Sequence, residues 1–287
     1  MPYHQDKNIT KEIPSFRKLL NVITPSRNQA VVYFEQSIDV TKTLKWIEEY
    51  NQTAKHKTTF LHLFMHFVGR CLHENPRINR YVSGHKFYQR SDVTVSVSAK
   101  KKKRNGGKIV LLKVPIEKDD SLESVSDRFH EMLNDGRSKE NTSQEKEMNF
   151  FAYLPGFVLN WANRFICWLD RRHWLPSFFV DPDPLFTSIV VASLGSVGME
   201  AGYHHLYEYG NCPFFAMIGK QHSKPVYVNG QIEERQFINI KYTFDERIED
   251  GLACGYGLEV LRKLLEDPAQ FDVDQTHTNQ DQEKVRA

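Results

Sequence analysis

A chain of 287 residues that is 40% hydrophobic and 12% aromatic can bury a sizeable core as one domain or two tightly joined lobes. Its net charge of +2 gives no global basis for attraction to nucleic acid or to an anionic membrane. Its four cysteines, Cys71, Cys167, Cys212 and Cys254, form no Cys-x-x-Cys pair, which argues against a zinc site or disulfide frame and for free thiols in a reducing compartment.

The chain opens with a polar lead-in over residues 1–12 that lacks the basic-then-apolar plan of a signal peptide. No uninterrupted apolar stretch reaches the roughly 18 residues of a spanning helix, so a soluble cytoplasmic protein is expected. Residues 29–38 carry the β-branched and aromatic side chains of a strand. Val40, Leu44, Ile47 and Tyr50 then recur at helical spacing. From Thr58 to Glu74 the chain is apolar on most sides, and it stops before Asn75-Pro76, where proline restricts the preceding residue. That predicts a buried helix.

Val93, Val95 and Val97 alternate along residues 92–98, the pattern of a half-buried strand. A second strand is expected over 108–116, joined to it by a basic connection. Asp120 and Glu123 resemble a capping box for a helix whose stripe is Leu122, Val125, Phe129, Met132 and Leu133. Residues 134–147 read as polar loop. Residues 148–186 form an aromatic-rich segment in which Phe157, Trp161, Phe165 and Trp168 recur at helical spacing. Its readings are packing onto the core, a subunit contact, the lining of an acyl or acceptor pocket, and a peripheral membrane contact.

Later strands are expected over 185–193, 213–218, 225–228 and 231–245, the last two joined by Asn229-Gly230, a strong hairpin signal. A final helix runs over 252–266 to Asp267-Pro268. The core thus spans 13–270, and the polar, aperiodic residues 271–287 read as a disordered tail.

Within this order, Tyr242-Thr-Phe-Asp-Glu-Arg-Ile-Glu-Asp-Gly251 resembles the Asp-His-Arg-x-x-Asp-Gly motif of the acyltransferase core of 2-oxo acid dehydrogenase complexes. It also resembles the His-x-x-x-Asp-Gly motif of chloramphenicol acetyltransferases. Asp245, Arg247, Asp250 and Gly251 match, and Glu246 stands in the place of the motif histidine. Asn75–Asn79 is similar to the family's Pro-x-x-Asn turn, Thr187–Gly198 to its Thr-x-Ser-Asn-Leu-Gly-x-x-Gly segment, and Leu258–Pro268 to its closing helix end.

The resemblance implies an α/β two-layer sandwich with a mixed sheet, assembled as trimers with each active site between two subunits. It implies coenzyme A or an acyl-CoA as substrate and a small thiol, hydroxyl or amine acceptor entering from the opposite end of one channel. With no lipoyl or partner-binding segment ahead of Lys11, a free-standing core is expected, with no metal and no nucleic acid.

In such a site the histidine accepts the acceptor's proton, help worth roughly 10²–10⁴-fold. Glu246 would be the base here, with Asp250 and Arg247 holding the turn, Asp245 in its motif place before them, and Asp250 also able to cap the following helix. A free carboxylate, at about 4.3, is a weaker base than an imidazole at about 6.5. Burial and the neighbouring Asp245, Glu249 and Asp250 would strengthen it, and Arg247 would oppose them. The position of the family's oxyanion-stabilising hydroxyl is Ala192. Ser193 is adjacent but belongs to the other strand face, and losing such a donor costs on the order of 10²–10³ in rate.

His204, with His205 beside it, is a substitute base, or a surface or packing residue. Lys101, Lys102 and Lys103, in the run Lys100–Arg104, are candidates for the phosphates of CoA, or a solvated loop. Two functions follow: a CoA-dependent acyltransferase with a non-standard base, and a catalytically silent relative serving as scaffold or ligand-binding protein.

Overall fold

Apolar residues two apart build one mixed sheet, and apolar residues three or four apart build the helices that cover one side of it. The structure, a computed structural model, describes residues 6–100, 109–138 and 155–271. Its strands are β1 (Lys7–Asn8), β2 (Val31–Asp39), β3 (Arg80–Ser83), β4 (Lys86–Gln89), β5 (Thr94–Lys100), β6 (Ile109–Pro115), β7 (Ile189–Ser193), β8 (Phe214–Val228) and β9 (Gln231–Asp245). Its α-helices are α1 (Ser15–Ile23), α2 (Thr41–Tyr50), α3 (Phe60–Glu74), α4 (Leu122–Ser138), α5 (Gly156–Arg171), α6 (Ser177–Val180) and α7 (Gly251–Glu266).

The large sheet has the order β2-β9-β8-β7-β5-β6, and a small one the order β1-β4-β3. In the large sheet β7 runs parallel to β5 and β8, and the remaining pairs are antiparallel. Val95, Val97, Val191, Ala216, Ile218, Ile240 and Phe244 point to one face and form a single cluster with Leu63, Phe64 and Phe67 of α3 and Leu261 and Leu264 of α7. Each such valine, leucine, isoleucine or phenylalanine, fully withdrawn from water, contributes roughly 1.5–3 kcal/mol. Val190, Ala192 and Phe215 point the other way and meet Leu206 and Cys212.

Several expectations are met in place. Helix α3 ends at Glu74 before Asn75-Pro76. Asn229 and Gly230 both take positive φ, 49° and 86°, as a mirror-image hairpin turn requires. Other expectations are corrected. Strand β5 is buried on both faces, because Thr94 and Ser96 are 4% and 0% exposed; Thr94 is covered by Thr187 and Ser188, which hydrogen-bond to it.

Helix α4 is capped by Ser121, whose Oγ accepts from Ser124 N, while Asp120 instead pairs with Arg128. It continues to Ser138 through part of the expected loop. The segments 213–218 and 225–228 are one strand, β8, irregular in register between Ile218 and Gln221.

The aromatic segment packs differently from its sequence stripe. Leu175, Val180 and Phe186 are buried against Tyr81 and Tyr88 of the small sheet, with Ile166 and Leu169 of α5 partly buried there. Phe157 and Trp161 of the stripe point outward instead, 77% and 69% exposed. Helix α1 and the hairpin β3–β4 have no counterpart among the expected elements. The basic run at Lys101, Lys102 and Lys103 and the tail from residue 272 lie outside the described residues.

Candidate active site

The motif turn is built where β9 runs out of the sheet. Asp245, the last strand residue, pairs with Val31 of β2, and Glu246 N–H donates to the carbonyl of Ala30 at 2.9 Å. Arg247 folds back on Asp245. Its Nε donates to Oδ1 at 2.8 Å and its Nη2 to Oδ2 at 2.7 Å. The free edge of the guanidinium donates through Nη1 to Asn21 Oδ1 at 3.2 Å and to the Pro25 carbonyl at 3.1 Å, tying the turn to the end of α1. Both side chains are almost wholly buried. A paired, fully hydrogen-bonded geometry of this kind is what makes buried charge tolerable.

Glu249 is a second buried anchor. Its carboxylate accepts from Arg17 at 3.1 Å and from Arg77 and Arg80, each at 3.2 Å. Burial pushes the Arg80 guanidinium below its usual value, and Glu249 opposes that shift. Arg17 also donates to the Glu246 carbonyl at 3.1 Å and lies 3.6 Å from Asp250. Asp250 is the N-cap of α7, its Oδ1 accepting from Ala253 N at 2.8 Å, which completes the start of that helix.

Of the four carboxylates in the turn, three are therefore held by arginines or a backbone N–H. Glu246 is half-buried, and its carboxylate has no hydrogen-bond or ion-pair partner among the described residues. The buried thiol beneath the turn is no alternative nucleophile: burial, then Glu249, pushes Cys254 up to about 12, so it stays protonated at neutral pH.

The position expected for an oxyanion donor lies elsewhere. Ala192 of β7 is level with Met217 of β8, and Met217 is level with Lys241 of β9. Glu246 is five residues farther along the chain from Lys241, or about 16 Å at roughly 3.3 Å per residue. Two strand spacings of roughly 4.8 Å separate β7 from β9 sideways, giving about 19 Å in all. The two positions do not meet within one chain.

Ala192 belongs to the sheet face away from the helices, and Ser193, one residue on, takes the opposite side by alternation. Directly beside Ala192 on its own face stands Ser98 of β5, its register partner, half-buried. His204 lies on this outer face too, its ring stacked 4.0 Å from Phe215 and 4.6 Å from His205. Its Nδ1 is 2.7 Å from the His205 carbonyl. The described residues hold no group of three or more His, Cys, Asp or Glu side chains fit for a metal ion.

Sequence reasoning missed Arg17, Arg77, Arg80 and Ser98. Glu249, next to Asp250, is the one local sign that a turn so rich in carboxylates needs cations from elsewhere.

A mixed six-stranded sheet carrying its helices on one face, closed by an Asp-x-Arg-x-x-Asp-Gly turn, defines an acyltransferase-type α/β sandwich. The chain matches the family model described as 2-oxoacid dehydrogenases acyltransferase (catalytic domain) over residues 11–150 and 187–272. It belongs to that family. A lipoamide acyltransferase component of the branched-chain alpha-keto acid dehydrogenase complex from Pseudomonas putida is 32% identical over 85 residues, which are 29% of this chain and 19% of that protein.

The fold is similar to that of a probable dihydrolipoamide acetyltransferase from Listeria monocytogenes, with TM-score 0.61 and 14% identity over 91% of this chain and 96% of the other. It is also similar to a chloramphenicol acetyltransferase, with TM-score 0.52 and 11% identity over 91% and 98%.

Proposed function

We propose that the protein moves an acyl group between CoA and a thiol, hydroxyl or amine acceptor, in sites completed by two copies within a homo-oligomer. Glu246 is the proton acceptor. The observation that carries this reading is the uncommitted carboxylate of Glu246 on a turn whose other three carboxylates are all engaged. The gap of about 19 Å between turn and β7 cannot close inside one chain, so a neighbouring copy supplies the β7 face, in keeping with a trimer.

The step is an acyl transfer out of the CoA thioester. The acceptor gives its proton to Glu246 while its heteroatom bonds to the thioester carbon. The carbonyl oxygen gains negative charge, and that charge needs a donor. With Ala192 lacking one, the hydroxyl of Ser98 is the nearest candidate on the same face. The carbon–sulfur bond then breaks, and the CoA thiolate takes the proton back from Glu246.

The test is release of CoA thiol from acetyl-CoA offered with dihydrolipoamide, a small amine and a small alcohol. Glu246→Gln should lower kcat by roughly 10²–10⁴-fold with the sedimentation of the oligomer unchanged. Turnover by Glu246→Gln equal to wild type would remove Glu246 as the base. Ala192 favours a second reading, a silent scaffold or acyl-CoA-binding protein; saturable CoA binding with no turnover for any acceptor would select it.

A further inference from the structure

Helix α5 exposes an aromatic face that its own chain leaves bare. Phe157, Trp161, Phe165 and Trp168 are 77%, 69%, 46% and 43% exposed. Their rings form a ladder, with centroids 5.7 Å apart between Trp161 and Phe165 and 5.9 Å between Phe165 and Trp168. Trp174 meets Trp168 edge-on at 5.7 Å. Apolar surface of this extent on a soluble domain marks a docking site.

Among the described residues of α5 and the turn after it, the exposed charges have one sign. Arg164, Arg171 and Arg172 are exposed, and Asp170, the acid of this helix, is buried. The guanidinium of Arg172 sits 4.4 Å from the Trp168 ring centroid and 5.5 Å from that of Trp174. Next to it opens a pocket of about 570 Å³ lined by Pro25, Gly84, His85, Lys86, Arg171, Arg172 and Trp174, with no carboxylate among them. Gly84 closes its floor: at φ +59°, a Cβ there would lie 3.2 Å from the Arg171 carbonyl, so the β3–β4 turn is seated directly on the end of α5.

The match to the family model covers 11–150 and 187–272, so α5 lies outside it. A second copy docked through a two-fold axis would bring the same arginines face to face with no exposed acid of α5 to neutralise them. An anionic lipid surface supplies both an apolar layer for the rings and phosphates for the cations. Among the described residues no helix is long and apolar enough to cross a membrane, so α5 would lie flat along it.

We propose that α5 and the basic pocket beside it dock the protein on an anionic phospholipid surface. The rings enter the headgroup–acyl boundary, and Lys86, Arg171 and Arg172 take lipid phosphates. The attraction is local and does not depend on net charge.

The experiment is co-sedimentation of the full chain with vesicles of phosphatidylcholine alone and of phosphatidylcholine mixed with phosphatidylglycerol, at low and high salt. Tryptophan emission is recorded on the same samples, since Trp161, Trp168 and Trp174 are three of the chain's four tryptophans. Binding should require the anionic lipid, weaken with salt and shift the emission to the blue. Arg171→Glu with Arg172→Glu should weaken it at least 25-fold, at about five-fold for each cation lost. Trp161→Glu with Phe165→Glu, at exposed positions, should abolish it without lowering Tm.

Wild-type protein that stays in the supernatant with both vesicle types overturns the proposal. So does a Trp161→Glu/Phe165→Glu variant that still binds vesicles, or one whose oligomer falls apart in sedimentation velocity, which would give this face to a second copy.

Discussion

Replacing Arg247 with methionine tests whether the motif turn is held by its buried ion pair. The change keeps most of the side-chain volume and removes the partner of a carboxylate that is only 1% exposed. It deletes both charge-assisted bonds to Asp245 and the donations to Asn21 and Pro25. Leaving one buried charge unpaired costs about 3–5 kcal/mol, and for a chain of this size that lowers Tm by about 10 °C.

Asp245→Asn alone strands the arginine instead and should cost a comparable amount. The double variant has no unpaired charge, and the asparagine Oδ1 can still accept the backbone N–H at 247 that Asp245 now accepts at 3.1 Å. Urea unfolding of all four proteins closes the cycle, with a coupling of roughly 2–3 kcal/mol expected. Because Arg247 joins the turn to α1, turnover should fall in the single variants beyond what unfolding explains. A cost below about 1 kcal/mol for Arg247→Met, the value of an exposed pair, together with no coupling, would refute the reasoning.

Ala192→Ser places a hydroxyl at the proposed oxyanion position and should raise turnover toward the roughly 10²–10³-fold that one such donor is worth. Steady-state rates unchanged or lowered by it would show that Ser98 or another group already fills the role. His62, buried in α3, accepts the Thr59 N–H on its Nδ1 at 3.0 Å; burial, then His130, pushes it down to about 4 from 6.5.

As pH falls the unfolded chain therefore takes up this proton first. Full stability is kept above 6.5, and about 3 kcal/mol is lost by the time pH reaches 4. Urea curves for wild type and His62→Asn, which keeps an acceptor near Nδ1 but cannot titrate, should diverge over that window. Parallel acid limbs would count against this assignment.

The fold was legible wherever one physical pattern dominated a stretch of chain. Alternating valines gave β5, the apolar run before Asn75-Pro76 gave α3, and Asn229-Gly230 fixed the hairpin. The outer side of β5 was not legible, because Thr94 and Ser96 look like solvent-facing residues until Thr187 and Ser188 arrive from far along the chain.

The same applies to the site. Asp245, Arg247 and Asp250 are local to one turn and could be read there. The arginines around Glu249 come from positions 17, 77 and 80, and nothing in their own neighbourhoods announces a shared carboxylate. Helix α1 is amphipathic in sequence, with Phe16, Leu19, Leu20 and Ile23 at helical spacing, but this chain leaves Phe16 and Leu19 75% and 56% exposed.

The hairpin of β8 and β9 outruns its neighbours. Pairing with β2 ends at Asp39 and Phe237, and the two strands continue together to the turn at Asn229-Gly230, where Tyr227 and Ile232 are 75% and 76% exposed. The tip lies about 46 Å along β9 from the motif turn, at roughly 3.3 Å per residue from Gln231 to Asp245. Exposed loop tips accept inserted sequence most readily. A fluorophore or epitope spliced between Asn229 and Gly230 would therefore report on the protein's whereabouts and company while leaving the motif turn at the other end of the ribbon undisturbed.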